Sequence, residues 1–213
     1  MKVGLVGATG MIGSRILDEL AAREHLVAAI ARNPSKVPGY TTVIACYGDI
    51  FKPDTILSHI MDYDVLISAL APDLKDLGSF VEAQRNLVYI AEKSGVRKLI
   101  VIGGAGSLKN HSGSKLMDSP LFPESWKGVA SVHEMALKVY KELKGQSFTW
   151  TSVSPAAMIS PGERTGKYRL SLDETLVVDD NGNSSISAED LAVLVVDLVE
   201  NDAYSNMRLA SGN

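Results

Sequence analysis

Three glycines stand at regular intervals in the run Gly7-Ala8-Thr9-Gly10-Met11-Ile12-Gly13, a spacing that can bring backbone against phosphate. The run follows a short apolar segment, Lys2–Val6, and opens an amphipathic one, Met11–Ala22. A strand, a tight turn and a helix N-terminus are therefore expected in that order. In such a turn the first glycine allows the tight bend, the second lets a pyrophosphate approach the main chain, and the third lets helix and strand pack closely. Free N–H groups at the helix start then face the phosphates. Thr9, Met11 and Ile12 belong to the same cradle. A site for NAD usually carries an acid about 20 residues further on, to hold the ribose 2′-hydroxyl. None appears here. The second apolar run instead ends Ala29-Ile30-Ala31-Arg32-Asn33-Pro34-Ser35-Lys36, so Arg32 and Lys36 offer a guanidinium and an ammonium where a 2′-phosphate would sit. The chemistry implied is a dinucleotide site that prefers NADP and admits NAD.

Further apolar runs extend that site. Asp49 and Ile50 follow the third run and are expected at the adenine; Asp49 would equally suit as a cap for a helix beginning near Pro53. Ala69-Leu70-Ala71, Gly103-Gly104 and Pro155-Ala156 follow the fourth, fifth and sixth runs. They fall at the carboxyl edge, where open α/β sheets hold ligands.

Other chemistries fail on spacing. Gly162-Glu163-Arg164-Thr165-Gly166-Lys167-Tyr168 has one residue too few between its glycines for a Walker loop, and a tyrosine where magnesium needs Ser or Thr. There is no G-x-S-x-G nucleophile elbow, and His25, His59, His111 and His133 lack metal-ligand spacing. No metal is expected. Cys46 is the sole cysteine; it has no internal partner, fits a reducing cytoplasm and reads as a strand-core residue.

The elements that must position these residues follow from periodicity. Lys2–Val6, Leu26–Ile30, Thr42–Cys46, Asp64–Ala69, Lys98–Ile102 and Phe148–Val153 have strand length and β-branched content. Between them, Met11–Ala22, Ser79–Ser94, Val129–Leu143 and, near the end, Ala188–Glu200 read as helices. Ser187 and Asp190 stand at capping-box spacing before the last. The pattern predicts an α/β fold, a Rossmann-type doubly wound and mainly parallel sheet with helices on both faces, in one domain spanning 1–213. Gly103 to Trp126 is expected as a long functional loop. Pro155 to Ser187, with short strands around Tyr168–Leu170 and Leu176–Val178 and a turn at Asp180-Asn181-Gly182-Asn183, is expected as a small C-terminal cap over the carboxyl edge. Of 213 residues 46% are hydrophobic and 22% charged, and the net charge is -4. That balance gives no surface for nucleic-acid phosphates. The longest apolar stretch, Leu191–Val199, is interrupted by Asp197 and is about half the ~20 residues a bilayer needs. With Met1-Lys2 running straight into the glycine turn, the expected location is cytoplasmic.

The glycine turn, Gly103-Gly104-Ala105-Gly106-Ser107-Leu108, the long motif Ser154–Leu170 and Ile186-Ser187-Ala188-Glu189-Asp190-Leu191-Ala192 together give nearly the whole chain a family likeness. The sequence resembles the atypical short-chain dehydrogenases of the NAD(P)H-flavin reductase group. The resemblance implies a doubly wound sheet, a nicotinamide cofactor and an electron acceptor of flavin or quinone type. Ordinary short-chain dehydrogenases use a Tyr-x-x-x-Lys pair near the start of the helix before the sixth strand, the tyrosine protonating a substrate oxygen. Here that place reads Val132-His133-Glu134-Met135, and Tyr140 and Lys144 share the spacing but come too late. His133 falls about where the tyrosine would lie, and Ser107 about where the dehydrogenase serine would, so these two are the catalytic candidates. Phe122, Trp126, Met158 and Tyr168 are candidates for an apolar wall against a flat conjugated acceptor. The rivals are an NADP-binding redox sensor acting through a protein partner and a sugar-nucleotide epimerase or dehydratase. The oligomeric state stays open, a homo-oligomer included.

Overall fold

Runs such as Leu99-Ile100-Val101-Ile102 carry apolar side chains on both strand faces, an arrangement that requires a helical layer on each side. The computed structural model, which describes residues 1–213, shows that sandwich. Strands β1 (Lys2–Val6), β2 (Leu26–Ala31), β3 (Val43–Tyr47), β4 (Val65–Ser68), β5 (Lys98–Ile102) and β6 (Thr149–Ser154) lie parallel in the order β3-β2-β1-β4-β5-β6. Helices α1 (Met11–Ala22), α2 (Asp54–Ile60), α3 (Ser79–Ser94), α4 (Glu124–Lys141) and α5 (Ala188–Glu200) cover it. Val6 pairs with Ile30 on one side and Ser68 on the other. The chain thus leaves β1 in opposite directions, which opens a crevice at the carboxyl ends of β1 and β4.

Two cores hold the layers. Ile16, Leu17 and Leu20 of α1 pack with Leu191, Leu194 and Val195 of α5 against one face; Ile56, Leu87, Ile90 and Leu137 of α2, α3 and α4 pack against the other. Helix α5 buries ten of its 13 residues. Its start is held by Ser187, whose hydroxyl accepts from the Asp190 amide at 3.0 Å. At its end the buried Lys98 ammonium donates to the carbonyls of Leu198 (2.9 Å) and Asn201 (2.7 Å), closing groups that a helix C-terminus leaves unpaired.

Several expectations need correction. Helix α4 starts at Glu124, five residues before Val129, because Pro123 ends the extended segment there; the loop after β5 therefore stops short of Trp126. The segment Pro155–Ser187 stands apart from the main sheet only in part. Strand β8 (Arg169–Ser171) instead joins the main sheet, antiparallel to β10 (Met207–Gly212) beyond β6, while β7 (Met158–Ser160) and β9 (Ser185–Ser187) pair separately. Leu176–Val178 is irregular, held by the Lys109 carbonyl accepting from the Leu176 amide at 2.8 Å. Strand β10, absent from the sequence reading, is buried despite carrying Arg208 and Ser211. No helix is long and apolar enough to cross a membrane.

Candidate functional site

At the carboxyl end of β1 each glycine has its own steric reason. Gly7 takes φ +85°, and a Cβ there would lie 2.9 Å from the Ala69 carbonyl oxygen. A Cβ on Gly13 would lie 2.0 Å from the Gly7 carbonyl oxygen, so α1 rests directly on the turn. Gly10 differs: the nearest atom to an added Cβ is 3.5 Å away, leaving its outer side open. Gly10 is also the N-cap of α1, with no side-chain cap and no acid in the first turn. The amides of Met11 and Ile12 find no acceptor in the chain. An uncapped helix start with a bare approach is what a phosphate needs, so these residues fit the pyrophosphate of a dinucleotide.

Two clefts flank this turn. The first, about 330 Å³, contains Gly7, Thr9 and Gly10 at one side, Arg32 after β2, Asp49 and Ile50 after β3, and Ala69, Leu70 and Ala71 after β4. The Arg32 guanidinium is exposed and makes neither a salt bridge nor a hydrogen bond. Asp49 does not cap α2: its carboxylate accepts from the Phe51 amide at 3.1 Å in a local turn, and α2 begins at Asp54, with Pro53 as its N-cap and no side-chain bond there. The second cleft, about 850 Å³, begins at Ile12 and runs past Gly103, Gly104, Pro155 and Ala156 to Phe122, Trp126, Met158 and His133. Phe122 and Trp126 meet edge to face at 6.3 Å.

Not every candidate arrives there. Lys36 is exposed on a 3-10 turn, Pro34–Lys36, and lines neither cleft. Met11 and Gly13 support the turn from outside the cleft walls. Ser107 lies outside both clefts, its carbonyl accepting from Arg208 at 3.4 Å. Tyr168 is also elsewhere: its hydroxyl donates to Asp197 of α5 at 2.6 Å, on the side of the sheet covered by α1 and α5. Ser107, which the resemblance implied as catalytic, and Tyr168, expected in the apolar wall, thus bind elsewhere in the chain.

His133 stands at the cleft wall. It packs edge to face on Phe80 at 4.7 Å and makes no hydrogen bond within the chain. Burial, with the positive charge of Arg208 behind it, lowers its pKa to about 4. At neutral pH the imidazole is uncharged and has no acidic proton of ordinary strength to give, although its N–H and lone pair remain for hydrogen bonding. Arg208 was not anticipated; an arginine inside an apolar run near the chain end was the one available signal. It is buried and its guanidinium donates to Ser154 Oγ (2.8 Å) and to the Gly104 carbonyl (2.9 Å), with Glu174 at 3.5 Å. These contacts fix the loop after β5, and Gly104 has no Cβ because one would press on His133 Cγ at 2.9 Å.

The tyrosine–lysine pair is absent in space as well. Tyr140 is buried and donates to Gln84 Oε1 at 2.7 Å, with burial pushing its phenol far above the usual range. Lys144 lies exposed beyond the end of α4. The long motif around Gly162–Tyr168 is a clamp. Arg164 grips the buried Glu19 through two bonds of 2.7 and 2.8 Å, and Asp190 accepts from Thr165 N, Thr165 Oγ1 and Gly166 N at 2.7–2.8 Å. No group of three or more His, Cys, Asp or Glu side chains is placed to hold a metal.

A family profile described as NAD(P)H-binding matches residues 7–202. Among solved structures, one from Burkholderia pseudomallei is 39% identical, with TM-score 0.87 over 100% of both chains. One from Bacteroides thetaiotaomicron is 33% identical, with TM-score 0.90 over 99% of this chain and 96% of its own. One from Streptococcus pneumoniae TIGR4 is 28% identical, with TM-score 0.87 over 100% of this chain and 99% of its own. Their names are provisional and read, in order, exported protein, epimerase and NADH-flavin reductase. The glycine turn, the crevice where strand order reverses and a match over most of the sequence agree: the chain belongs to the NAD(P)H-binding family of Rossmann-like proteins.

Proposed function

We propose that the protein is a reductase that uses NADPH in preference to NADH and reduces a flat conjugated acceptor of flavin or quinone type. The observation that carries this reading is the junction at the uncapped start of α1, where a narrow cleft holding an unpaired Arg32 meets a wider apolar one. In this reading the Met11 and Ile12 amides bind the pyrophosphate, Arg32 the 2′-phosphate, and Ile50 and Leu70 flank the adenine. The bound nicotinamide supplies a hydride, leaving NADP⁺, and the acceptor takes that hydride together with one proton from solvent. Phe122, Trp126 and Met158 exclude water and hold the acceptor face, because two flat rings gain most from being positioned at contact. A conjugated acceptor spreads the arriving charge over its own ring system. The lack of a tyrosine–lysine acid is then consistent with the reaction, and the neutral His133 serves the acceptor by hydrogen bonding. The name carried by the 28% identical relative, NADH-flavin reductase, supports a flavin-type acceptor, while the NADPH preference rests on Arg32 alone.

The test is NADPH oxidation followed against flavins, quinones, biliverdin and small carbonyls. Turnover is expected with at least one conjugated ring and not with simple aldehydes or ketones. Turnover confined to small carbonyls would remove this reading, and tight NADPH binding without any turnover would leave a cofactor-responsive binding protein.

A further inference from the structure

None of the 21 residues around the second cleft is Asp, Glu, Lys or Arg. Its polar side chains are Ser119, Ser125 and His133, and the last is uncharged at neutral pH. Cations nearby in sequence are already engaged: Lys115 pairs with Glu134 and Lys127 with Glu124, each at 2.7 Å. Lys75, next to the rim residue Leu74, makes no ion pair; its neighbours Asp73 and Asp76 offset its charge and it is exposed outside the cleft wall. The first cleft, by contrast, holds Arg32 with Asp49 and Asp73. The two halves of the crevice are thus electrostatically unlike, one furnished for phosphate and one with no cation on its wall, the guanidinium of Arg208 lying buried behind Gly104 and His133 with Glu174 at 3.5 Å.

The rim of the bare cleft is apolar and uncovered. Leu121 is 92% exposed, Leu74 78% and Met158 57%. Side chains of this kind on facing loops leave hydrocarbon in water until an apolar substituent covers it. A phosphate or sulfonate drawn into the same cleft would lose hydration with no cation to replace it, and burying an unpaired charge is costly.

Resting on the reductase reading above, we propose that the acceptor is neutral and carries no phosphate. It is an unphosphorylated isoalloxazine or a quinone with an apolar substituent, taken in preference to FMN, FAD or a sulfonated quinone. Selectivity within the class comes from what the cleft lacks: the ring binds by stacking and apolar contact, and an anionic tail is rejected for want of a partner.

Riboflavin and FMN share one ring and differ in the terminal phosphate, which makes them a matched pair. Their dissociation constants for the NADP⁺-loaded protein, read by flavin fluorescence quenching, should favour riboflavin by about tenfold or more. A naphthoquinone should likewise displace riboflavin better than its sulfonate. Placing a cation in the cleft with Ser125→Arg should narrow or reverse the riboflavin preference by tightening FMN. Equal or tighter binding of FMN to the wild-type protein overturns the proposal, as does failure of both flavins and both quinones to bind. The reductase reading fails separately: a riboflavin preference in binding without NADPH oxidation upholds the neutral acceptor class and removes the reaction. Turnover that favours FMN does the reverse.

Discussion

Arg32 is the residue on which cofactor choice turns, and the structure leaves its guanidinium at the cleft edge with no carboxylate to occupy it. A charge-assisted hydrogen bond contributes roughly 1.5–3 kcal/mol, so Arg32→Ala should weaken NADPH by about 10- to 100-fold while leaving NADH nearly unchanged. Calorimetric titration of both cofactors checks this, and equal losses would take Arg32 out of the phosphate site. Lys36 sits on an exposed 3-10 turn outside the cleft, and Lys36→Ala is therefore the natural control. The two cations looked equivalent in the sequence because both follow β2 within five positions. What separates them is the turn at Asn33, where the side chain accepts from the Ser35 hydroxyl at 2.7 Å and bends the chain away. Such local bonds decide where a side chain ends up, and they were not legible from residue type alone.

The strand–turn–helix unit at Gly7–Gly13 was legible in full, because sterics dictate both its residues and its spacing. Its three glycines nevertheless predict different failures. Gly13→Ala puts a methyl group 2.0 Å from a backbone oxygen, so the turn or α1 must shift, and a loss of stability on the order of 2 kcal/mol or more is expected. Gly10→Val meets nothing in the chain closer than 3.5 Å from its Cβ; its urea midpoint should stay near wild type while NADPH binding falls by at least about tenfold, since the branched side chain stands where phosphate must approach. A Gly10→Val protein that folds and binds normally would misplace the cofactor. The distal elements were read less well. Motif Gly162–Tyr168 failed as a Walker loop on spacing alone, and nothing in its sequence showed what it does instead: Arg164 pairs with Glu19, and Thr165 and Gly166 donate to Asp190. Ion pairs between segments 145 residues apart carry no local periodic signal, and neither does the antiparallel addition of β8 to β10.

At the scale of the whole molecule, stability should record the ionisation state of the cleft wall. His133 is held near a pKa of about 4 by burial and by Arg208, against about 6.5 in an unfolded chain. Between those values the unfolded state binds more protons than the folded one, so stability rises with pH across that window and is lost as pH falls from about 6.5 towards 4. The contribution lost between pH 7 and pH 5 is about 2 kcal/mol for a single histidine shifted this far. Glu19, Glu174 and Glu189 are also held below the usual carboxylate range, the first two by pairing with Arg164 and Lys141 and the third by the Gly162 amide and then Arg15, against the opposing effect of burial. Their share is fully present above about pH 4.5 and is lost only at more acidic pH. Comparing wild type with His133→Gln therefore isolates the imidazole. Urea unfolding at pH 7 and pH 5 should show the wild type losing about 2 kcal/mol more than the variant over that interval, and parallel losses would mean that His133 titrates in the folded state as it does in the unfolded chain. The same comparison bears on function: if the imidazole stays neutral, NADPH oxidation with a conjugated acceptor should show no break near pH 6.5 attributable to His133, because a group that does not titrate there cannot gate the reaction there.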